Sequence, residues 1–567
     1  MRIAHRRLCL RRHVSTARYS GYGSQKLFPP YKEISVGSVA VKDVSVAKHA
    51  IIYGAATVLS KAVGFVLIPM YTHYLGPSGY GILGMIDICL VLLSAMMAYG
   101  MSNAIMRFYY EFEDQKERNL VVSSGLFVML AIVPVLVCVS LPFSGIVSRI
   151  MLGSSDGGFY LVLAIITFGL NISGDSARIY VVINQKSVFW SVIALLRLIL
   201  GMGLNIYLIA VRGMGVLGYL YSSLIVACVF SIFWHVYTFR KVGLGFSRDL
   251  ARKMVAYLAP LIPGQFARLV KERATTVILR SYSGISSVGI FELAFKFIVI
   301  LPLFITDPFF RSWQPRQFEL SRTEEGPKVM AATFARFMIT MIFVGLILAV
   351  MLPEAIKLTS PPEFWAGIPI VTVLLCTRIL VAMAQFAVFG ILYAKKTKFI
   401  SYINIVLAVM AVSIGIPMVK YFGLMGAAFT GTIVELGRFI LNYTIGQKYY
   451  RIPYMWGRFA RTVAVAVLSY LIVSHISVES FGLDQWCENT MSPIFGWFAD
   501  VLHLGVVKNG KLVMYLTERS SVFVNVMMKS LIAPLYVGGL LAVGAIDLST
   551  LQDMGKRALA YVPVLSR

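Results

Sequence analysis

Six cations stand inside long apolar runs with no acid at helical spacing to neutralise them: Lys61, Arg197, Lys271, Arg273, Arg280 and Arg378. A charge at the bilayer centre costs on the order of 2.5–3.5 kcal/mol on insertion scales, so it faces a partner or a wet cavity. Guanidinium forks pair bidentately with phosphate oxygens, and lysine acts as a point charge. The chemistry these residues suggest is the holding of an anionic substrate inside a membrane, not bond breaking. Other charges in the runs have local partners. Asp175 and Arg178 are i,i+3, as are Glu435 and Arg438; Glu292 and Lys296 are i,i+4, as are Arg268 and Glu272. Such spacings place both groups on one helical face, so each pair is expected to neutralise itself. Lys271 has Glu272 beside it, and Arg280 lies near enough to a span end to snorkel. With Arg268 carried along, the candidate cationic cavity is Lys61, Arg197, Arg268, Arg273 and Arg378. The competing reading is that each cation meets an acid across the bundle, Asp87 being the obvious one. Asp87 and Glu435 are also the candidate carboxylates for proton or sodium coupling. No catalytic residue and no cofactor is expected. The seven histidines are scattered and the six cysteines form no CxxC pair, so no metal site is expected either.

The elements that must carry these residues are membrane helices. Of 567 residues, 58% are hydrophobic and 14% charged. Soluble domains have roughly a quarter charged, and no soluble core hides that much apolar surface. Each span needs about 20 residues, and the chain predicts fourteen: 49–72, 79–106, 120–142, 158–183, 187–211, 215–239, 254–282, 286–310, 330–352, 365–393, 399–419, 423–446, 459–477 and 529–548. The net charge of +26 sits mostly in short connections. One alternate set of loops holds Arg107, Lys116, Arg118, Lys186, Arg240, Lys241, Arg248, Arg252, Lys253, Arg311, Arg316, Arg322, Lys328, Lys395, Lys396, Lys398, Lys448, Arg451 and Arg458. The other set, up to the thirteenth span, holds Arg149, Arg212, Lys357 and Lys420. The positive-inside rule makes the first set cytoplasmic, with the N-terminus on the same side. Residues 1–47 read as a basic cytoplasmic tail against anionic lipid, with an organellar transit peptide as the alternative. A nucleic-acid partner is not expected.

The chain repeats itself. Tyr74, Gly76, Gly81 and Ile82 return as Tyr282, Gly284, Gly289 and Ile290, each 208 residues later, and Gly215 and Gly218 return as Gly423 and Gly426 at the same offset. Gln185-Lys-Ser-Val-Phe-Trp-Ser191 matches Lys395-Lys-Thr-Lys-Phe-Ile-Ser401 at 210. One offset recurring at separate sites implies repeated units. Residues 48–241 and 254–447 are thus read as two six-helix bundles of the same orientation, with 448–567 an extra helix pair and its outer loop. Parallel repeats about an axis along the membrane normal are built for alternating access at the midplane. Gly79-Tyr-Gly81-Ile-Leu-Gly84 matches GxGxxG, but it opens an apolar span with no strand before it, so a dinucleotide site is not expected. Pro69, Pro260, Pro263, Pro302 and Pro417 lie in or near spans and are candidates for helix kinks.

These residues carry a resemblance. Pro69-Met-Tyr-Thr-His-Tyr-Leu-Gly76-Pro-Ser-Gly-Tyr-Gly81, Pro260-Leu-Ile-Pro263, Lys271-Glu-Arg273 and Gly289-Ile-Phe resemble bacterial polysaccharide exporters. These are the lipid-linked oligosaccharide (O-antigen type) flippases of the multidrug, oligosaccharidyl-lipid and polysaccharide exporter superfamily. The resemblance covers about 48–450. It implies an all-α polytopic membrane protein with two pseudo-symmetric six-helix bundles in a V. It implies transfer of a polyprenyl-pyrophosphate-linked glycan from the cytoplasmic to the outer leaflet of the cell inner membrane for surface polysaccharide biosynthesis. Its partners would be that glycan, membrane lipids and a polysaccharide polymerase or ligase. The related lipid II flippases share the fourteen-helix count and stay open. So does a drug/cation antiporter of the superfamily, although unpaired cations here outnumber unpaired acids. A membrane glycosyltransferase would need carboxylates or bases in sizeable outer loops, and the loop near 73–78 has no acid. A non-transporting scaffold would leave the intramembrane cations unexplained.

Overall fold

The computed structural model describes residues 64–97, 101–153, 157–258, 262–475 and 520–545. The basic tail, most of the first predicted span, Lys61 and most of the outer segment 478–528 lie outside them. All regular structure among the described residues is helical. In hydrocarbon the backbone has no water to bond, and a helix satisfies every N–H and C=O within itself.

The first half comprises α1 (Ile68–Met97), α2 (Met101–Tyr109), α3 (Gln115–Ser140), α4 (Ser144–Met151), α5 (Gly158–Ile183), α6 (Ser187–Asn205), α7 (Gly215–Val242) and α8 (Arg248–Leu258). A π-helical turn, Ile206–Val211, extends α6. The second half comprises α9 (Ile262–Ile298), α10 (Asp307–Leu320), α11 (Gly326–Thr359), α12 (Ile368–Ala387), α13 (Phe389–Tyr393) and α14 (Lys398–Tyr449). Pro302 opens a second π-helical turn, Pro302–Thr306, between α9 and α10. After these come α15 (Trp456–Ser474), α16 (Ser520–Lys529) and α17 (Ile532–Ala542).

Eleven helical stretches are long and apolar enough to cross a membrane, and two of them run 53 and 52 residues. A 52-residue helix would extend about 78 Å against a hydrocarbon core of about 30 Å. Both stretches are therefore two passes joined at a break. Counted so, the described residues supply thirteen passes, and most of the first of the fourteen predicted spans lies outside them.

The breaks fall at repeated positions. Gly76 (φ 61°) interrupts α1 and Gly284 (φ 83°) interrupts α9. Gly215 (φ 55°) starts α7 and Gly423 (φ 53°) interrupts α14. Left-handed backbone strains any residue with a Cβ, which is why glycine recurs there. At the other end of the bundle, Gln185 (φ 54°) and Lys395 (φ 56°) are the non-glycine residues with positive φ among the described residues, again 210 apart. The reversals at the first end thus sit on glycines and those at the other on Gln185 and Lys395; neither Pro69 nor Pro417 marks one. The lipid-facing stripes repeat as well. Val192, Leu195, Ile199 and Ile206 on the α6 stretch are exposed, as are Tyr402, Ile405, Val409 and Ile416 on α14, each 210 further on.

Each half has an apolar core, and that of the second half also takes in Ile68, Tyr71 and Tyr80 from the first. In the first, Val121, Leu126, Phe230, Trp234 and Met254 pack together; in the second, Phe310, Phe334, Phe337 and Phe386 do. The C-terminal helices lie on α11, where Val465, Tyr536 and Leu540 meet Ile342, Leu346 and Val350. Lys529 Nζ lies 2.6 Å from Glu354 Oε1, a pair buried against that face.

The halves meet along α1 and α9. Hydrogen bonds between them include three at the end opposite the basic loops. Thr72 Oγ1 donates to Thr359 O at 3.1 Å, Ser78 Oγ meets Ser286 Oγ at 2.7 Å, and Arg280 Nε donates to Met151 O at 3.0 Å. Arg280 is therefore an inter-half strut and does not snorkel to the surface.

Candidate functional site

Each half holds a cavity lined by candidate cations, and Arg273, on the wall of one, lies near mid-membrane depth. Arg273 is eleven residues from the break at Gly284 and Asp87 eleven from Gly76, about 16 Å along each helix and about half the hydrocarbon thickness.

The first cavity, about 360 Å³, is walled by α9, α12 and α14 and collects the charged residues of the second half. Lys271 Nζ lies 3.3 Å from Glu435 Oε1, and Arg438 Nε lies 2.6 Å from Glu435 Oε2. Lys271 is thus held across the bundle by Glu435 and not by its neighbour Glu272, which pairs with Arg268 at 2.9 Å. Glu435, the coupling candidate, carries two cations at once. Arg273 sits between two acids, 3.6 Å from Asp87 and 3.5 Å from Glu292. The competing reading of a trans-bundle acid therefore describes Arg273, and Asp87 is that acid. Arg378 differs: its guanidinium lies 4.6 Å from the Phe295 ring centroid, and no carboxylate among the described residues is within ion-pair reach of it.

The second cavity, about 470 Å³, lies in the first half, with Arg178, Arg197, Trp190, Tyr219, Trp234 and Asn205 on its walls. Arg178 pairs with Asp175 at 3.1 Å as the spacing predicts. Arg197 donates to the neutral amide oxygen of Asn171 at 2.7 Å.

One residue was misassigned by spacing. Glu292 and Lys296 are i,i+4, yet Glu292 pairs with Arg273. Lys296 instead places its ammonium 5.7 Å from the Tyr71 ring centroid and 5.9 Å from that of Tyr80, both in the first half. Tyr71 lines the 470 Å³ cavity, so Lys296 stands at the seam beside it. The signal that could have found it was its place one residue past Phe295, on a helix already carrying Arg273. The candidate set therefore divides. Arg268 and Arg273 are neutralised, Arg197 and Arg378 are not, and Lys296 joins the latter two.

A third cavity is apolar. About 520 Å³ lies between α11, α12, α14 and α15, bordered by Leu346, Leu375, Ile379, Met383, Phe439 and Phe459 among others. Helix α12 is thus a shared wall. Thr377, Arg378 and Val381 face the charged chamber, and Cys376, Ile379 and Leu380 face the apolar groove.

Solved structures of similar fold include membrane transporters. Residues 46–321 match the family described as polysaccharide biosynthesis protein. Among solved structures, the lipid II flippase MurJ in an inward closed conformation is 12% identical, with a TM-score of 0.58, covering 87% of this chain and 99% of that one. An inward-facing multidrug resistance MATE family transporter of the MOP superfamily is 16% identical, with a TM-score of 0.54, covering 68% and 93%. The MATE multidrug transporter DinF-BH in complex with R6G is 17% identical, with a TM-score of 0.51, covering 75% and 99%. At these identities the shared property is the fold. No curated protein sequence matches the chain.

Proposed function

Because the chain is a multi-pass membrane protein with the exporter fold of the MOP superfamily, and its residues 46–321 match the polysaccharide biosynthesis family, we propose that it flips a polyprenyl-pyrophosphate-linked oligosaccharide between leaflets by alternating access. One observation carries the reading. Helix α12 presents Arg378, a guanidinium with no carboxylate within ion-pair reach among the described residues, to a charged chamber on one face and lines a 520 Å³ apolar groove on the other. An amphiphile with a phosphate headgroup and an isoprenoid tail has that same division. The chamber would take the pyrophosphate, with Arg378 supplying a charge-assisted fork. The groove would take part of the tail.

The surrounding ion pairs suit a carrier better than a tight binder. Lys271, Arg273 and Arg438 are already satisfied by Glu435, Asp87 and Glu292. The headgroup then meets few free cations and can leave. With the basic loops in the cytoplasm, the contacts Thr72–Thr359, Ser78–Ser286 and Arg280–Met151 close the outer side. Rocking about the α1–α9 seam would open that side and expose the headgroup outward.

The superfamily includes carriers of soluble cationic drugs and of lipid II. The apolar groove beside the chamber favours a lipid-linked substrate over a soluble drug. The test is leaflet accessibility of a polyprenyl-pyrophosphate oligosaccharide in reconstituted vesicles, wild type against Arg378→Gln. Transport by wild type and its loss in a folded Arg378→Gln variant is the expected result. Export of a cationic drug with no movement of any lipid-linked glycan would sink the proposal.

A further inference from the structure

The cavity of the first half differs in kind from the charged chamber. Its walls are aromatic, with Trp190, Tyr219 and Trp234 around Arg197 and Asn205, and no carboxylate lines it among the described residues. Two polar groups there await a ligand. Arg197 bonds one neutral amide, Asn171, and has no carboxylate within ion-pair reach. Asn205 is nine-tenths buried. Its Nδ2 donates to Gly201 O at 2.8 Å, while its Oδ1 is buried and accepts no hydrogen bond.

An unpaired buried amide oxygen requires a donor. Phosphate at neutral pH offers essentially acceptors, and an isoprenoid tail offers nothing. A sugar ring offers both things the cavity lacks. Its hydroxyls donate as well as accept, and its axial C–H faces pack on aromatic rings. We propose that this cavity is a sugar subsite, seating a pyranose ring of the transported glycan. Asn205 Oδ1 accepts from a ring hydroxyl, Arg197 donates to sugar oxygens, and Trp190 or Tyr219 covers a ring face. The pyrophosphate stays with Arg378, and Lys296 stands between, beside Tyr71 on the cavity wall. The assignment rests on the flippase reading and adds where the sugar sits.

The test uses the purified full-length protein in detergent and two probes, inorganic pyrophosphate and a panel of lipid-free disaccharides, followed by calorimetry. At least one disaccharide is expected to bind. Asn205→Leu and Trp190→Ala should each weaken it tenfold or more and leave pyrophosphate affinity within twofold. Arg378→Gln should do the reverse. Unchanged sugar affinity in both cavity variants overturns the subsite. So does a loss of pyrophosphate binding in Asn205→Leu. If no disaccharide binds while the lipid-linked glycan is still flipped, the subsite falls and the flippase reading stands. A protein that neither binds pyrophosphate nor moves the glycan takes both down.

Discussion

Ser78 and Ser286, the same position in the two halves of the chain, face each other with their hydroxyl oxygens 2.7 Å apart. The pseudo-two-fold axis relating the halves therefore passes between them. Nearby glycines show the same reciprocity. A Cβ on Gly81 would lie 2.0 Å from Ile285 O, and one on Gly289 would lie 2.0 Å from Pro77 O. Residue 77 corresponds to 285 as 81 does to 289. The GxGxxG match that opens this span is thus a close helix crossing: Gly84 in turn leaves room for the Glu292 side chain.

Locking that crossing should stop transport. The paired change Ser78→Cys with Ser286→Cys is expected to form a disulfide on oxidation, since the hydroxyl oxygens that the sulfurs would replace are 2.7 Å apart. Transport in vesicles should stop on oxidation and return on reduction. Cross-linking without any effect on transport would mean that this end does not open.

Leucine at either crossing glycine should separate the halves. Gly81→Leu and Gly289→Leu cannot be relieved by a rotamer change, because the obstacle is backbone. Overpacking of this kind typically costs about 1–3 kcal/mol. Thermal unfolding in detergent should show comparable losses for the two variants, as the reciprocity requires.

Arg273 has two carboxylates, and their removal should not be additive. Asp87 is the more exposed acid and Glu292 the more buried, at 63% and 17% of side-chain surface. Asp87→Asn is expected to cost least and Glu292→Gln more. The double change leaves Arg273, 23% exposed, without a carboxylate, and should cost more than the two single changes together. A double-mutant cycle on unfolding checks the order.

The C-terminal pair is fastened by one buried charge. Lys529→Met leaves Glu354 alone at 1% exposure, and should cost about 3–5 kcal/mol. Adding Glu354→Leu should restore most of it, because two apolar groups replace the pair. Unfolding midpoints of the single and double variants decide this.

At the chamber, Arg378→Gln should slow flipping without unfolding the protein. Loss of a charge-assisted hydrogen bond is worth about 1.5–3 kcal/mol, or roughly tenfold to a hundredfold. Arg378→Lys should recover part of it, since the charge stays and the fork is lost. Initial rates of glycan accessibility in vesicles are the readout.

The sequence alone determined what is local or periodic. Span length follows from hydrocarbon thickness, and 158–183 and 187–211 match the observed helices to the residue. The offset of 208 survives as backbone geometry at Gly76 and Gly284 and at Gly215 and Gly423, because a reversal that needs positive φ favours glycine; the offset of 210 survives at Gln185 and Lys395 with the residue type changed. Partnership among charges was a different matter. Spacing of i,i+4 offers a pairing and does not enforce it, and Arg268–Glu272 takes the offer while Glu292–Lys296 declines it. Which acid reaches which base depends on the helix faces that pack together, set by contacts such as Gly81 on Gly289, hundreds of residues apart in the chain. Only the tertiary structure therefore gave Lys271 to Glu435, Arg273 to Asp87 and Glu292, and Arg280 to the Met151 carbonyl. Of the cations lining or flanking the two cavities, it left Arg197, Lys296 and Arg378 with no carboxylate within ion-pair reach among the described residues.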